Sequence, residues 1–152
     1  MTERLKPFQI APDGYRAMRG LSAYVSECGL EHSLLELVEI RASQINGCAF
    51  CLAMHVRSAR QHGESDDRLH LLNAWREAPI YTARERAALA WAEAVTKLKD
   101  GHVPDDVYEA ARREFSEKEL VDLTFAIVVI NGWNRFMVGF QVPPQTDLPK
   151  VG

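Results

Sequence analysis

Apolar residues recur along this chain three or four positions apart and nowhere alternate in the two-residue rhythm of a strand. The densest set is Leu34, Leu35, Leu37, Val38, Ile40, Ala42 and Ile45. On a helical wheel these point in nearly every direction, so the segment reads as a helix buried on most sides. Ahead of it, a helix is expected from about Asp13, as N-cap, to Glu27, with Gly29 as its stop. Behind it, Asn46-Gly47 breaks the run, because both residues tolerate left-handed backbone angles. A third helix then spans about Cys48 to His62 and stops at Gly63.

Three Ser/Thr-x-x-Glu patterns have the form of capping boxes: Ser33 to Glu36, Thr82 to Glu85 and Ser116 to Glu119. The first opens the helix that runs to about Ile45. The second opens one that buries Ala87, Trp91, Ala94, Val95 and Leu98 and ends at Asp100-Gly101. The third opens a long apolar helix reaching about Phe140. Ser65-Asp66-Asp67 starts a shorter helix through Leu69, Leu72 and Trp75, and Pro104-Asp105-Asp106 starts another. Pro7 and Pro12 mark an irregular arm over about residues 1–12, and Val142-Pro143-Pro144 leads into a tail over about 141–152. The predicted fold class is all-α, a helical bundle.

At 152 residues the chain suits one domain, 1–152, with a core that needs no covalent staples. A net charge of −3, with both signs interleaved, argues against nucleic acid as a partner. Met1 to Gln9 has no apolar stretch of the kind a signal peptide needs. The run from Leu120 to Phe140 is long enough to raise the membrane question. It carries Asp122, Asn131, Asn134 and Arg135, which are costly at membrane depth, so a buried core helix is expected instead. Three cysteines without a secretory signal point to a reducing compartment, the cytoplasm. Cys28 stands apart as a small buried hydrophobe, and Arg41, among apolar neighbours, is expected to pair with a buried carboxylate.

The chemistry concentrates between Ser43 and His55. On a helix, Cys48, Cys51 and His55 fall within an arc of about 60°. Leu52, Val56 and Ala59 lie to one side of that arc, Phe50 and Met54 edge the other, and Arg57, Arg60 and Gln61 face water. The sulfurs sit at a helix N-terminus, where unpaired N–H groups favour thiolate, the nucleophilic form. If Asn46-Gly47 reverses the chain, Glu36 and His55 stand at heights differing by only about 3 Å on antiparallel helices. Glu36 would then orient His55, and His55 would take a proton from a cysteine. Plainer readings exist for each group. Glu36 could only close its capping box, His55 could be a satisfied core histidine, and the cysteine pair could be half of a zinc site. The zinc reading is weakened because Cys28, His62 and His70 show no second paired spacing. His32, His62, His70 and His102 read as surface residues.

The run Glu36-Leu-Val-x-x-Arg-x-Ser-Gln-Ile-Asn-Gly-Cys-x-Phe-Cys-x-x-x-His55 resembles the signature of the alkyl hydroperoxidase D-like proteins of the carboxymuconolactone decarboxylase superfamily. Asn131-Gly-Trp-Asn-Arg135 through Val142-Pro-Pro is similar to the last helix of its single-domain members, so the resemblance covers about residues 10–145. It implies an all-helical fold, a homotrimer or homohexamer, and peroxidase activity with no cofactor beyond the Cys48–Cys51 dithiol. By that pattern Cys51 attacks a hydroperoxide, Cys48 donates a proton and then closes the disulfide, Glu36 and His55 relay protons, often with a water, and an external dithiol or redox protein returns the thiols. The characterised hydroperoxidase has a histidine where this chain has Phe50. Decarboxylase members generally lack the thiol pair. Two rival functions remain open at this level: a thiol–disulfide exchange module or oxidant sensor, and a structural metal-holding oligomer.

Overall fold

The computed structural model describes residues 2–145, all helix and connecting turns. Eight α-helices follow in order: α1 Pro7–Ile10, α2 Pro12–Glu27, α3 His32–Asn46, α4 Ala49–Gln61, α5 Asp66–Leu71, α6 Ala83–Lys97, α7 Asp105–Glu114 and α8 Glu117–Gly139. Short 3-10 turns, Leu72–Ala74 and Lys99–Gly101, extend α5 and follow α6. Helix α3 is the axis of the bundle, packed against α4, α6 and α8. That is what its all-round apolar pattern requires, and Leu37, Val38, Ile40 and Ala42 are fully enclosed.

The Thr82/Glu85 and Ser116/Glu119 capping boxes form reciprocally, as the sequence predicts. The Ser33/Glu36 box does not. Helix α3 starts one residue earlier, behind Glu31, and no side chain caps it. Ser33 is therefore already inside the first turn, and Glu36 is free for another partner. Asp13 is likewise inside α2, whose N-cap is Ala11 with Pro12 at the first helical position. Pro104 serves as N-cap of α7 rather than within its first turn.

The expected irregular arm is partly ordered. Residues Pro7–Ile10 form α1, and the Arg4 N–H donates to the Phe140 carbonyl at 2.9 Å, tying the arm to the end of α8. Phe8 packs on Tyr15 and Trp133, with ring centroids 4.9 and 5.6 Å away. Of the predicted tail, residues 146–152 lie outside the described residues.

Helix α8 is long and apolar enough to cross a bilayer by length and composition. In the fold it packs against α2, α3 and α6, burying Leu123, Ile127 and Ile130. Its polar residues have partners: buried Asp122 accepts from Tyr24 at 2.6 Å and from Lys118 at 2.6 Å. The Arg41 expectation holds. Its Nε donates to Glu93 Oε1 at 2.8 Å across the α3–α6 contact. Cys28 is half-buried against the core.

Candidate active site

Helix α3 ends on Gly47, whose φ of 65° is the left-handed conformation the Asn-Gly pair predicts. The turn is held by side chains as well. Asn46 Nδ2 donates to Asn131 Oδ1 at 2.9 Å and to Asn134 Oδ1 at 2.8 Å. Asn134 Nδ2 in turn donates to Ser43 Oγ at 3.0 Å. These amides, half-buried at Asn46 and Asn131 and buried at Asn134, fix the point from which α4 departs.

Cys48 is the N-cap of α4, and its sulfur accepts the Cys51 N–H at 3.3 Å. A sulfur in that position takes one of the orphan donors of the helix start, which is the environment that favours thiolate. Cys48 and Cys51 are joined as a disulfide with Cα atoms 5.4 Å apart. Both are about 1% exposed. They differ in what they face: Cys51 lines a cavity of about 380 Å³, and Cys48 is not among its lining residues.

Glu36 and His55 meet as the antiparallel geometry predicts, with His55 Nδ1 3.0 Å from Glu36 Oε2. Two further groups join them. Glu39 Oε2 lies 3.1 Å from the same Nδ1, and the Ser58 hydroxyl donates to Glu36 Oε1 at 2.5 Å. Burial alone would push the His55 pKa down, but the hydrogen bonds and charges of Glu36 and Glu39 outweigh it and raise the value to about 10. Burial likewise pushes Glu36 up, and the hydrogen bonds from His55 and Ser58 overcome it, leaving Glu36 below its ordinary value. The raised His55 value favours an imidazolium at neutral pH, with the carboxyl oxygens of Glu36 and Glu39 both on its Nδ1 side. A raised pKa in the disulfide state suits a proton donor better than the base of the sequence reading.

The cavity joins the chemical groups to an apolar chamber. Cys51, His55 and Glu39 are on its wall, with Phe8, Tyr15, Phe50, Met54, Trp133 and Met137. Phe50 and Met54 thus edge the site as their helical positions predict. Glu39 and Ser58 are absent from the sequence reading, although a spacing signal exists for both. Glu39 is three residues after Glu36, and Ser58 three after His55, each on the same helix face as its neighbour. Phe8 and Tyr15 carry no comparable signal, because they arrive from α1 and α2 through tertiary packing.

Among the described residues, two groups of three could hold a metal ion, their donor atoms lying within 4.8 Å of one another: His32, Glu36 and His62, and Glu36, Glu39 and His55. The cysteines belong to neither.

Comparison with known proteins follows the same lines. The model of the carboxymuconolactone decarboxylase family matches residues 12–94. YdfG of Bacillus subtilis (strain 168), itself uncharacterised, is 38% identical over 138 residues, spanning 91% of this chain and 94% of its own. The structure of ATU0492 from Agrobacterium tumefaciens, a protein of unknown function with a suggested antioxidant-defence role as AhpD, is similar with a TM-score of 0.93. It is 43% identical and covers 96% of this chain and 100% of that one. The debrominase Bmp8 shares the fold, with a TM-score of 0.82 at 19% identity, covering 91% of this chain and 74% of that one.

Proposed function

The chain belongs to the carboxymuconolactone decarboxylase family, in the superfamily that includes the alkyl hydroperoxidase D-like proteins, and from that membership and the site geometry we propose that it is a thiol-dependent peroxidase. The observation that carries the reading is the asymmetry of the two sulfurs. Cys51 shares a cavity with His55, while Cys48 is enclosed behind it at the helix cap.

In the cycle this supports, the Cys51 thiolate attacks the outer oxygen of a hydroperoxide, the O–O bond breaks, and the alkoxide leaves as an alcohol after taking a proton. In this reading His55, which shares the cavity with Cys51, donates that proton, and Glu36 and Glu39 orient its ring. The Cys48 thiol then attacks the Cys51 sulfenic acid, its proton leaving with the displaced hydroxide as water, and the disulfide forms. An external dithiol returns both thiols, which requires a reducing compartment such as the cytoplasm. No further cofactor enters this scheme.

Burial of both sulfurs favours a small substrate over a large protein surface as the first reactant, which separates this reading from a disulfide-exchange module. A thiol count after one equivalent of hydroperoxide tests it. Two thiols are expected to disappear in the wild type and one in Cys48→Ser; no loss in the wild type would refute the cycle.

The relay carries its own expectation. His55→Gln should slow the peroxide reaction by about 10²-fold, within the range typical of general acid–base groups. Glu36→Gln should cost less, because Glu39 still faces Nδ1 at 3.1 Å. Stopped-flow kinetics of the reduced proteins checks the order; equal rates for His55→Gln and wild type would remove His55 from the scheme.

We also propose self-association as a homotrimer or homohexamer. Val121, Phe125 and Val128 form an apolar row along α8 and remain 55%, 40% and 53% exposed. Light scattering is expected to give a trimer or hexamer mass, and a monomer at micromolar concentration would refute it.

A further inference from the structure

Glu36 has two oxygens, and the catalytic side uses only one of them. Oε2 faces His55, whereas Oε1 takes the Ser58 hydroxyl and looks outward toward two histidines that the peroxide chemistry leaves idle. His32 Nδ1 lies 3.9 Å from Glu36 Oε1, beyond a hydrogen bond. His32 stands one turn before Glu36 on α3, the i, i+4 spacing at which two side chains on one helix can chelate a single ion.

His62 completes the group from the other helix. It is the C-cap of α4, and its ring stacks on that of His32 with centroids 4.2 Å apart. His62 Nδ1 is 2.8 Å from the Ser58 carbonyl oxygen. A carbonyl only accepts, so Nδ1 is the donor in this contact and Nε2 is the nitrogen left to face a cation. A backbone carbonyl fixing one ring nitrogen so that the other can coordinate is the usual outer-shell arrangement of a metal-binding histidine.

The three donor atoms lie within 4.8 Å of one another. A tetrahedral zinc ion needs them about 3.3 Å apart, given metal–ligand bonds of about 2.0 Å. Both imidazoles are exposed, so small ring rotations can close that gap without moving the backbone. A cleft of about 110 Å³ lined by Ser33, Glu36, Ala59, His62, Gly63 and Glu64 opens beside the group, with room for water ligands.

We propose that His32, Glu36 and His62 bind a borderline divalent cation, of which Zn²⁺ is the reference, with water completing the coordination. Two imidazoles and one carboxylate suit Zn²⁺, Co²⁺ or Ni²⁺ rather than Ca²⁺ or Mg²⁺, which take oxygen ligands. The site is distinct from the thiol pair but shares a carboxylate with the relay. A cation on Oε1 withdraws electron density from the group whose Oε2 holds His55, so occupancy should weaken the relay. That coupling alone rests on the peroxidase reading.

The test is a titration of tag-free, fully oxidised Cys28→Ser protein, in which the Cys48–Cys51 disulfide takes up the two remaining sulfurs and no thiol competes for the metal. Isothermal calorimetry with Zn²⁺, and visible absorption with Co²⁺, should show one equivalent bound with a Kd of about 10 µM or tighter. His32→Ala and His62→Ala should each weaken binding at least about tenfold, with thermal melts confirming that both variants fold. Glu39→Gln should leave it unchanged, since it disturbs only the other possible donor group. Three results would overturn the site: no binding, histidine variants that bind as tightly as wild type, or loss of binding on Glu39→Gln alone. These readouts involve no peroxide, so a failed peroxidase reading leaves them intact. For the coupling, Zn²⁺ should slow peroxide consumption more in the wild type than in His32→Ala, and equal slowing would remove it.

Discussion

Cys51→Ser is expected to reduce peroxide turnover to the uncatalysed background, a loss of at least about 10³-fold. The reason is positional as well as chemical. A serine hydroxyl is not ionised near neutral pH, so no nucleophile would face the cavity that Cys51 shares with His55. The other cysteine of the pair, Cys48, does not line that cavity, so it does not take over the attack. The substitution changes one atom and leaves the surrounding packing in place, and circular dichroism should show an unchanged helical spectrum. Steady-state peroxide consumption with a dithiol donor measures the effect. Wild-type turnover in this variant would sink the assignment of Cys51, and with it the peroxidase mechanism in this form.

Much of the site was readable before the fold because it depends on local periodicity and one turn. Helical spacing puts Cys48, Cys51 and His55 in one arc, and Asn46-Gly47 supplies the reversal that brings Glu36 opposite His55. What escaped depends on contacts between elements distant in the chain. The Ser33 pattern is a good capping box, yet Glu36 makes its bonds with His55 and Ser58 instead. A local propensity worth about 1 kcal/mol yields to a buried charge-assisted hydrogen bond worth more. Glu39 escaped for a different reason. Its spacing from Glu36 puts the two on one helix face, but only the packing of α4 on α3 brings His55 Nδ1 within 3.1 Å of it.

The polar residues of α8 show the same division. Asp122, Asn131 and Asn134 argue against a membrane span at the sequence level, and that inference needs only their cost in an apolar medium. Their positive role needed coordinates. Asn131 and Asn134 accept from Asn46 and hold the turn that presents Cys48. Phe8, expected in an irregular arm, is instead a wall of the cavity, because α1 folds back over Trp133. Sequence periodicity cannot see a closure of that kind.

The second large effect is on stability, at the ion pair that joins α3 to α6. Glu93→Ala should destabilise the fold by about 3–5 kcal/mol, the usual consequence of leaving one partner of a buried pair uncompensated. Glu93 is nearly enclosed and accepts three hydrogen bonds: from Arg41 at 2.8 Å, Trp75 Nε1 at 2.9 Å and Arg76 at 2.7 Å. Removing the carboxylate strands Arg41 among apolar neighbours with only the Gln44 and Asn73 side-chain oxygens, at 3.0 and 2.7 Å. Arg41→Met combined with Glu93→Leu should recover part of the loss, because no buried charge then remains unpaired. The same carboxylate sets an acid limit. Burial pushes its pKa up, but the bonds from Trp75, Arg76 and Arg41 dominate and hold it at about 2. A value below that of the unfolded chain means the stabilisation is complete above the ordinary glutamate range and is lost as pH falls through the folded value. Stability of the wild type should therefore drop more steeply than that of Glu93→Gln between about pH 4.5 and pH 2. Urea denaturation across that window decides it, and parallel curves for the two proteins would show that the pair contributes nothing to acid sensitivity.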